Sequence, residues 1–191
     1  MSAVYLSHPE VTVDPATPVP LWSLSPKGRA RLASLPWVRH LGAIFSSPET
    51  KALQTATLLR PDLVPTVDAD LSENHRAGFL APPAFEAAAD AFFAAPDAPP
   101  PGWESARAAQ ARIRAAFDRL TRGLARPALF SGHGAVGTLL HQSLSGQPIS
   151  RRGDQPSGGG NLYAIDLATR RPLSPWTPLE SWAWPQGSQP P

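Results

Sequence analysis

Two histidines stand at the ends of short apolar runs. His8 closes the run in Val4-Tyr5-Leu6-Ser7-His8-Pro9-Glu10, and His133 closes that in Ala128-Leu129-Phe130-Ser131-Gly132-His133-Gly134. Small or turn-forming residues follow each. In an open α/β sheet both would emerge at the carboxyl ends of strands, where such sheets open their crevices. An acid, Glu73, falls between them in sequence. This set suggests phosphoryl chemistry on a histidine, which needs a nucleophilic imidazole, donors around the phosphoryl oxygens and an acid for the leaving alcohol. His8 could be the nucleophile and His133 a donor, with Gly132 and Gly134 permitting close backbone approach. Lys51 lies one turn into a helix opened by Ser47, whose free amides also attract an anion. Glu73 could supply the proton. His8, His75 and His133 could imitate a metal site, but no close spacing such as His-x-x-x-His supports it, so no metal is expected.

The elements that must hold these residues follow from periodicity and caps. Strands are expected at 3–7, 43–46, 64–67, 128–131 and 162–166. Residues 12–23 hold three prolines and no periodicity, and read as a loop. Ser25-Pro26 and Ser47-Pro48 each have the Ser-cap, Pro-first signature of a helix start, with Ser47 read as a cap and Glu49 in the first turn near the dipole. Further helices are expected at 83–94, 103–124 and 135–144. In 103–124, Ala106, Ala109, Ile113, Ala116, Phe117, Leu120 and Leu124 share one 3.6-period face, and Arg107, Arg112, Arg114, Arg119 and Arg122 read as a solvated one. Glu104 and Ser105 read as caps of that helix, His40 and His141 as structural. Strands alternating with helices imply a three-layer α/β/α sandwich with a mostly parallel sheet.

The 191 residues suit one domain, 42% of them hydrophobic, which excludes wholesale disorder. No apolar run approaches the ~20 residues of a membrane span, and the start shows no signal-peptide pattern, so a cytoplasmic protein is expected. With no cysteine there is neither a disulfide scaffold nor a thiol nucleophile. A net charge of +2 without a basic stripe argues against nucleic acid as partner.

Six segments in order resemble the histidine phosphatase superfamily, the phosphoglycerate mutase-like phosphatases. They are Ser7-His8-Pro9 for the family's Arg-His-Gly, Leu24-Ser25-Pro26-Lys27-Gly28-Arg29-Ala30, Ser46-Ser47-Pro48-Glu49-Thr50-Lys51-Ala52-Leu53-Gln54-Thr55-Ala56, Leu71-Ser72-Glu73, Trp103-Glu104-Ser105 and Gly132-His133-Gly134. The resemblance covers roughly residues 3–167. It implies that His8 is phosphorylated, that Glu73 is first general acid and then the base for water, and that His133 binds phosphate. Three departures stand out. The family's first phosphate-clamping Arg is Ser7, and the second is Lys51, which keeps the charge without the planar fork. Pro9 replaces a Gly and removes an amide donor. Arg76 and His75, just after Glu73, are the candidate substitutes.

The expectation is therefore a single phosphoglycerate mutase-like domain over 1–191, with a cap at about 77–101 and a Pro/Trp-rich coil tail from about 172 to 191. The expected activity is hydrolysis of a small phosphomonoester through phospho-His8, with catalytic His8, Glu73 and His133 and substrate-binding Ser7, Lys51, Arg76 and His75. No cofactor, nucleic acid or membrane is expected, and a homodimer is allowed. The alternative is a catalytically impaired member that binds a phosphorylated ligand or a protein partner, favoured by Ser7. If only the clamp is missing, Ser7→Arg should accelerate turnover.

Overall fold

The computed structural model describes residues 1–184. Its sheet has seven strands: β1 (Ser2–Ser7), β2 (Ala43–Ser46), β3 (Thr66–Val67), β4 (Ala128–Gly132), β5 (Asn161–Asp166), β6 (Arg171–Pro172) and β7 (Thr177–Pro178). The spatial order is β3-β2-β4-β1-β5-β6, with β7 also on β5. The first four run parallel, and β5 to β7 add an antiparallel margin. β1 is central and all six of its residues are buried, as expected of an apolar run covered on both faces.

Side-chain alternation divides the core. Ala3 and Tyr5 face one layer, built from α3 (Pro82–Ala94), α4 (Ala106–Leu120) and α5 (Gly134–Ser145), with Phe117, Phe130 and Tyr163. Val4 and Leu6 face the other, which holds α1 (Pro26–Ala30), α2 (Thr50–Leu59), Trp37 and Leu179. This is the three-layer α/β/α sandwich that the alternating pattern implies. Among the described residues no helix is long and apolar enough to cross a membrane.

Several boundaries differ from the sequence expectation. The third strand is only Thr66–Val67, both exposed. α1 has the expected cap, Ser25 accepting from the Gly28 amide, but spans five residues. The second Ser-Pro pair does not start its helix. α2 begins at Thr50 with Glu49 as the capping residue, while the Ser47 hydroxyl accepts from the Glu49 amide at 3.2 Å and bonds His133. The coil expectation for the tail is also corrected. The tail packs over the domain as expected, with Trp176 and Leu179 in the core, but part of it is strand rather than coil: β6 and β7 pair with β5, since pairing satisfies backbone groups that packing takes out of water. The part of that expectation covering 185–191 lies outside the described residues.

α4 is expected from 103 to 124 and is found at Ala106–Leu120, opened by Ser105 accepting from the Ala108 amide. Its apolar face is the expected one, but Arg112 is not a solvated residue. Its guanidinium forms a two-pronged pair with Glu104 and reaches the carbonyls of Asp70, Ser72 and Glu73. It thus clamps the segment that carries Glu73. Truncation would leave the largely buried Glu104 carboxylate and three carbonyls without their donor. Arg112→Ala is expected to cost about 2–3 kcal/mol in urea unfolding and to lower turnover in parallel; an unchanged midpoint would count against the clamp.

Candidate active site

The parallel register pairs Ser7 with Gly132, so the residues that follow, His8 and His133, leave adjacent strands side by side. Their rings are 5.2 Å apart, edge to face. The His8 amide donates to the Gly132 carbonyl at 3.0 Å. His8 Nδ1 lies 2.8 Å from the Pro9 carbonyl. A carbonyl only accepts, so Nδ1 carries the proton and Nε2 keeps its lone pair. The Pro9 that removes an amide thus also fixes the tautomer. The turn Gly158-Gly159-Gly160, positive in φ throughout, wraps this backbone. The Gly160 amide donates to the His8 carbonyl at 3.0 Å, and a Cβ on Gly159 would stand 2.4 Å from that oxygen, so only glycine fits the turn.

Glu73 leaves the end of a short turn after β3. Its carboxylate accepts from the amides of Asn74 (3.0 Å), Val136 (3.2 Å) and Ala135 (3.3 Å), and so sits over the open N-terminus of α5. Burial raises its pKa above the usual carboxylate value, against the pull of Arg76 and these amides. For His8 burial works the other way and, helped by the charge of Lys51 and against the Pro9 hydrogen bond, lowers the imidazole to about 4. His8 is therefore neutral across the physiological range.

One cavity of about 470 Å³ exposes His8, Glu73, Asn74 and Arg76 together. Phe85, Phe92 and Trp103 wall one side and the Gln155–Gly159 segment the other. Arg76 lies over the rings of Phe85 and Trp103, at 5.2 and 5.5 Å, and donates to Asn74 Oδ1 at 3.2 Å. Such stacking holds a guanidinium in place without neutralising it. Arg151 also borders this cavity, but Glu86 and Asp90 bind its guanidinium.

The other expected site residues lie elsewhere. His133 is fully buried and does not line the cavity. Its backbone is bracketed by the Tyr5 hydroxyl, which bonds both its N–H and its C=O at 3.1 Å. Its Nε2 is 2.8 Å from the Ser47 hydroxyl and 3.3 Å from Glu49, and its Nδ1 has no partner among the described residues. Burial holds its pKa well below the usual value. Ser7 is fully buried: its hydroxyl bonds the Gln155 side chain and the Asn161 carbonyl and accepts from the Asn161 amide. It ties β1 to β5 and does not line the cavity that holds His8 and Glu73.

Lys51 is 4% exposed and is bound by Glu49 and the Val19 carbonyl. Burial acts to raise the Glu49 carboxyl, but the charges of His133 and Lys51 bring it to about 2; with His133 held neutral, Lys51 is the decisive one. His75 is exposed and lines a smaller neighbouring pocket with Glu49 and Arg76. Glu49, Arg112 and Asn74 escaped the sequence reading. Asn74 is 3% exposed, and its Nδ2 finds no acceptor among the described residues. Among the described residues no three His, Cys, Asp or Glu side chains converge on a metal position.

Residues 19–173 match the family model of the histidine phosphatase superfamily, branch 1. The matched range holds Glu73 and His133 and leaves the Ser7-His8 strand outside. No curated protein matches the chain. Among solved structures, mycobacterial glucosyl-3-phosphoglycerate phosphatase in complex with inorganic phosphate superposes with a TM-score of 0.74 at 22% identity, over 95% of this chain and 99% of that one. The protein TTHB049 of Thermus thermophilus superposes with a TM-score of 0.61 at 26% identity, over 93% and 99%.

Proposed function

From the chain's membership of the histidine phosphatase superfamily, branch 1, we propose that it is a phosphomonoester hydrolase working through a phosphohistidine on His8. The observation that carries this reading is the pairing, in one cavity, of a neutral His8 with a free Nε2 and a Glu73 whose burial favours the protonated form.

His8 Nε2 attacks phosphorus in line, and the bond to the leaving oxygen breaks. Glu73 gives its proton to that oxygen and the alcohol departs. Glu73, now a carboxylate, takes a proton from water, whose oxygen attacks the phosphohistidine and releases phosphate and neutral His8. Arg76 and Asn74 Nδ2 are the donors that meet the phosphoryl oxygens in this cavity. His133, buried beside His8 with the two rings edge to face, is a positioning residue for the nucleophile. The segment at about 77–101 serves as the cap, since its Phe85, Phe92 and Phe93 border the cavity.

The pH profile tests this reading. Below about 4, His8 is protonated and has no lone pair, so kcat/KM should rise with pH through that value. Above the raised pKa of Glu73 the acid is lost, so the rate should fall again, giving an acidic optimum. Glu73→Gln should abolish the falling limb. In kcat/KM, which reads only the phosphorylation step, it should cost roughly 10²–10³ with an alkyl phosphate and much less with an activated aryl phosphate, whose leaving group needs no proton. A rate flat in pH, or an equal loss with both esters, would sink the assignment.

A second reading, binding of a phosphorylated ligand without turnover, is favoured by one observation: neither family clamp position offers a cation to the cavity, since Ser7 is a sheet tie and Lys51 is held by Glu49. Tight binding of orthovanadate or phosphate with no hydrolysis above background would favour it.

A further inference from the structure

A second cavity of about 280 Å³ adjoins the first, and the two share Arg76, Phe85 and Glu86. Every lining residue that they do not share is apolar on this side, including Val13, Trp22, Phe79 and Leu80. The wall is built rather than incidental. The Trp22 indole donates to the carbonyls of Asp14 and Thr17 at 2.9 Å, which fixes the ring within the proline-rich loop. Its ring centroid is 5.4 Å from that of Phe79. Phe79 and Val13 remain 38% and 55% exposed at the rim, so a guest would find large apolar surface still in contact with water.

Arg76 therefore stands at the junction of a polar cavity holding His8 and Glu73 and an apolar cavity with no cation of its own. We propose that the apolar cavity receives the hydrocarbon part of the leaving alcohol, so that the substrate class is phosphomonoesters of apolar alcohols, aryl or branched alkyl. This rests on the phosphatase reading above. Sugar or glycerol alcohols would surrender hydroxyl hydrogen bonds to water against this wall, and a second phosphate would find no further cation there. An alkyl or aryl chain leaves water on binding, which strengthens affinity about three- to fourfold per buried methylene.

The test is calorimetric titration of the full chain with methylphosphonate and hexylphosphonate, which need no turnover. Hexylphosphonate is expected to bind at least about tenfold tighter than methylphosphonate. Val13→Ser and Phe79→Ser, both at the exposed rim and both neutral, should each shrink that ratio severalfold. Equal affinities, a ratio that survives both substitutions, or no binding of either ligand would overturn the inference. The two readings fail separately. His8-dependent hydrolysis of an aryl phosphate together with equal phosphonate affinities removes the apolar subsite and keeps the phosphatase. A hexyl preference without any hydrolysis keeps the subsite and removes the phosphatase.

Discussion

His8→Ala is expected to lower hydrolysis of a generic aryl phosphate by at least about 10⁴-fold, to the level of the uncatalysed reaction plus whatever Arg76 and Glu73 contribute by binding. The size of the effect follows from the role. Removing a donor to the phosphoryl oxygens costs two to three decades, whereas removing the atom that forms the covalent intermediate removes the pathway. Stability should barely change, because His8 is only partly buried and its side chain makes one hydrogen bond, to the neighbouring Pro9 carbonyl. The measurement is kcat/KM beside a urea unfolding curve. Rapid acid-free quenching of the wild type with a radiolabelled substrate should trap label on the protein, and His8→Ala should trap none. Label retained by the variant, or turnover within tenfold of the wild type, would place the nucleophile elsewhere.

Ser7→Arg is expected to unfold or severely destabilise the protein rather than restore a missing clamp, which reverses the outcome the sequence suggests. Ser7 has no exposed surface, and three hydrogen bonds converge on its hydroxyl. Arginine has no acceptor for the Asn161 amide, must displace Gln155, and brings a charge into a fully buried position. Each of these costs a few kcal/mol, so a loss of about 3 kcal/mol or more is expected from urea unfolding. Gln155 is the obstacle. Its amide nitrogen stands within 2.1 Å of where a Cβ on Gly134 would be, so it fills the space between β1 and the start of α5. The double variant Ser7→Arg/Gln155→Ala should recover part of the stability and raise turnover about tenfold or more over Gln155→Ala alone. If Ser7→Arg by itself folds with wild-type stability and speeds hydrolysis, the tie from β1 to β5 is not what holds position 7.

The family and the juxtaposition of His8 and His133 were legible in the sequence because they depend on local patterns. An apolar run followed by a turn places a residue at a strand end, and two such runs became the adjacent parallel strands that bring His8 to His133. The apolar face of α4 was equally plain, since Ala109, Ile113, Ala116 and Phe117 recur at the helical period and are all buried. Caps were less decisive: Ser25 opens a helix as its type suggests, but at Ser47 the same Ser-Pro signature gave way, because a hydrogen bond to His133 was available to the hydroxyl.

Only the tertiary structure decided which charges reach the cavity. Lys51 and Glu49 are two residues apart, and nothing in that spacing says that both side chains turn inward and neutralise one another. Arg112 shares a sequence pattern with the exposed Arg107, yet it lies opposite the carbonyls of the Glu73 segment and becomes a clamp. Asn74 gives no signal in one dimension; only the fold buries it and leaves its Nδ2 without a partner among the described residues. Helices and strands are chosen by backbone preferences and periodicity over a few residues, so a sequence displays them. The partner of a buried charge is chosen by which distant groups the fold brings within about 3 Å and which it shields from solvent, and that is a property of the packed chain.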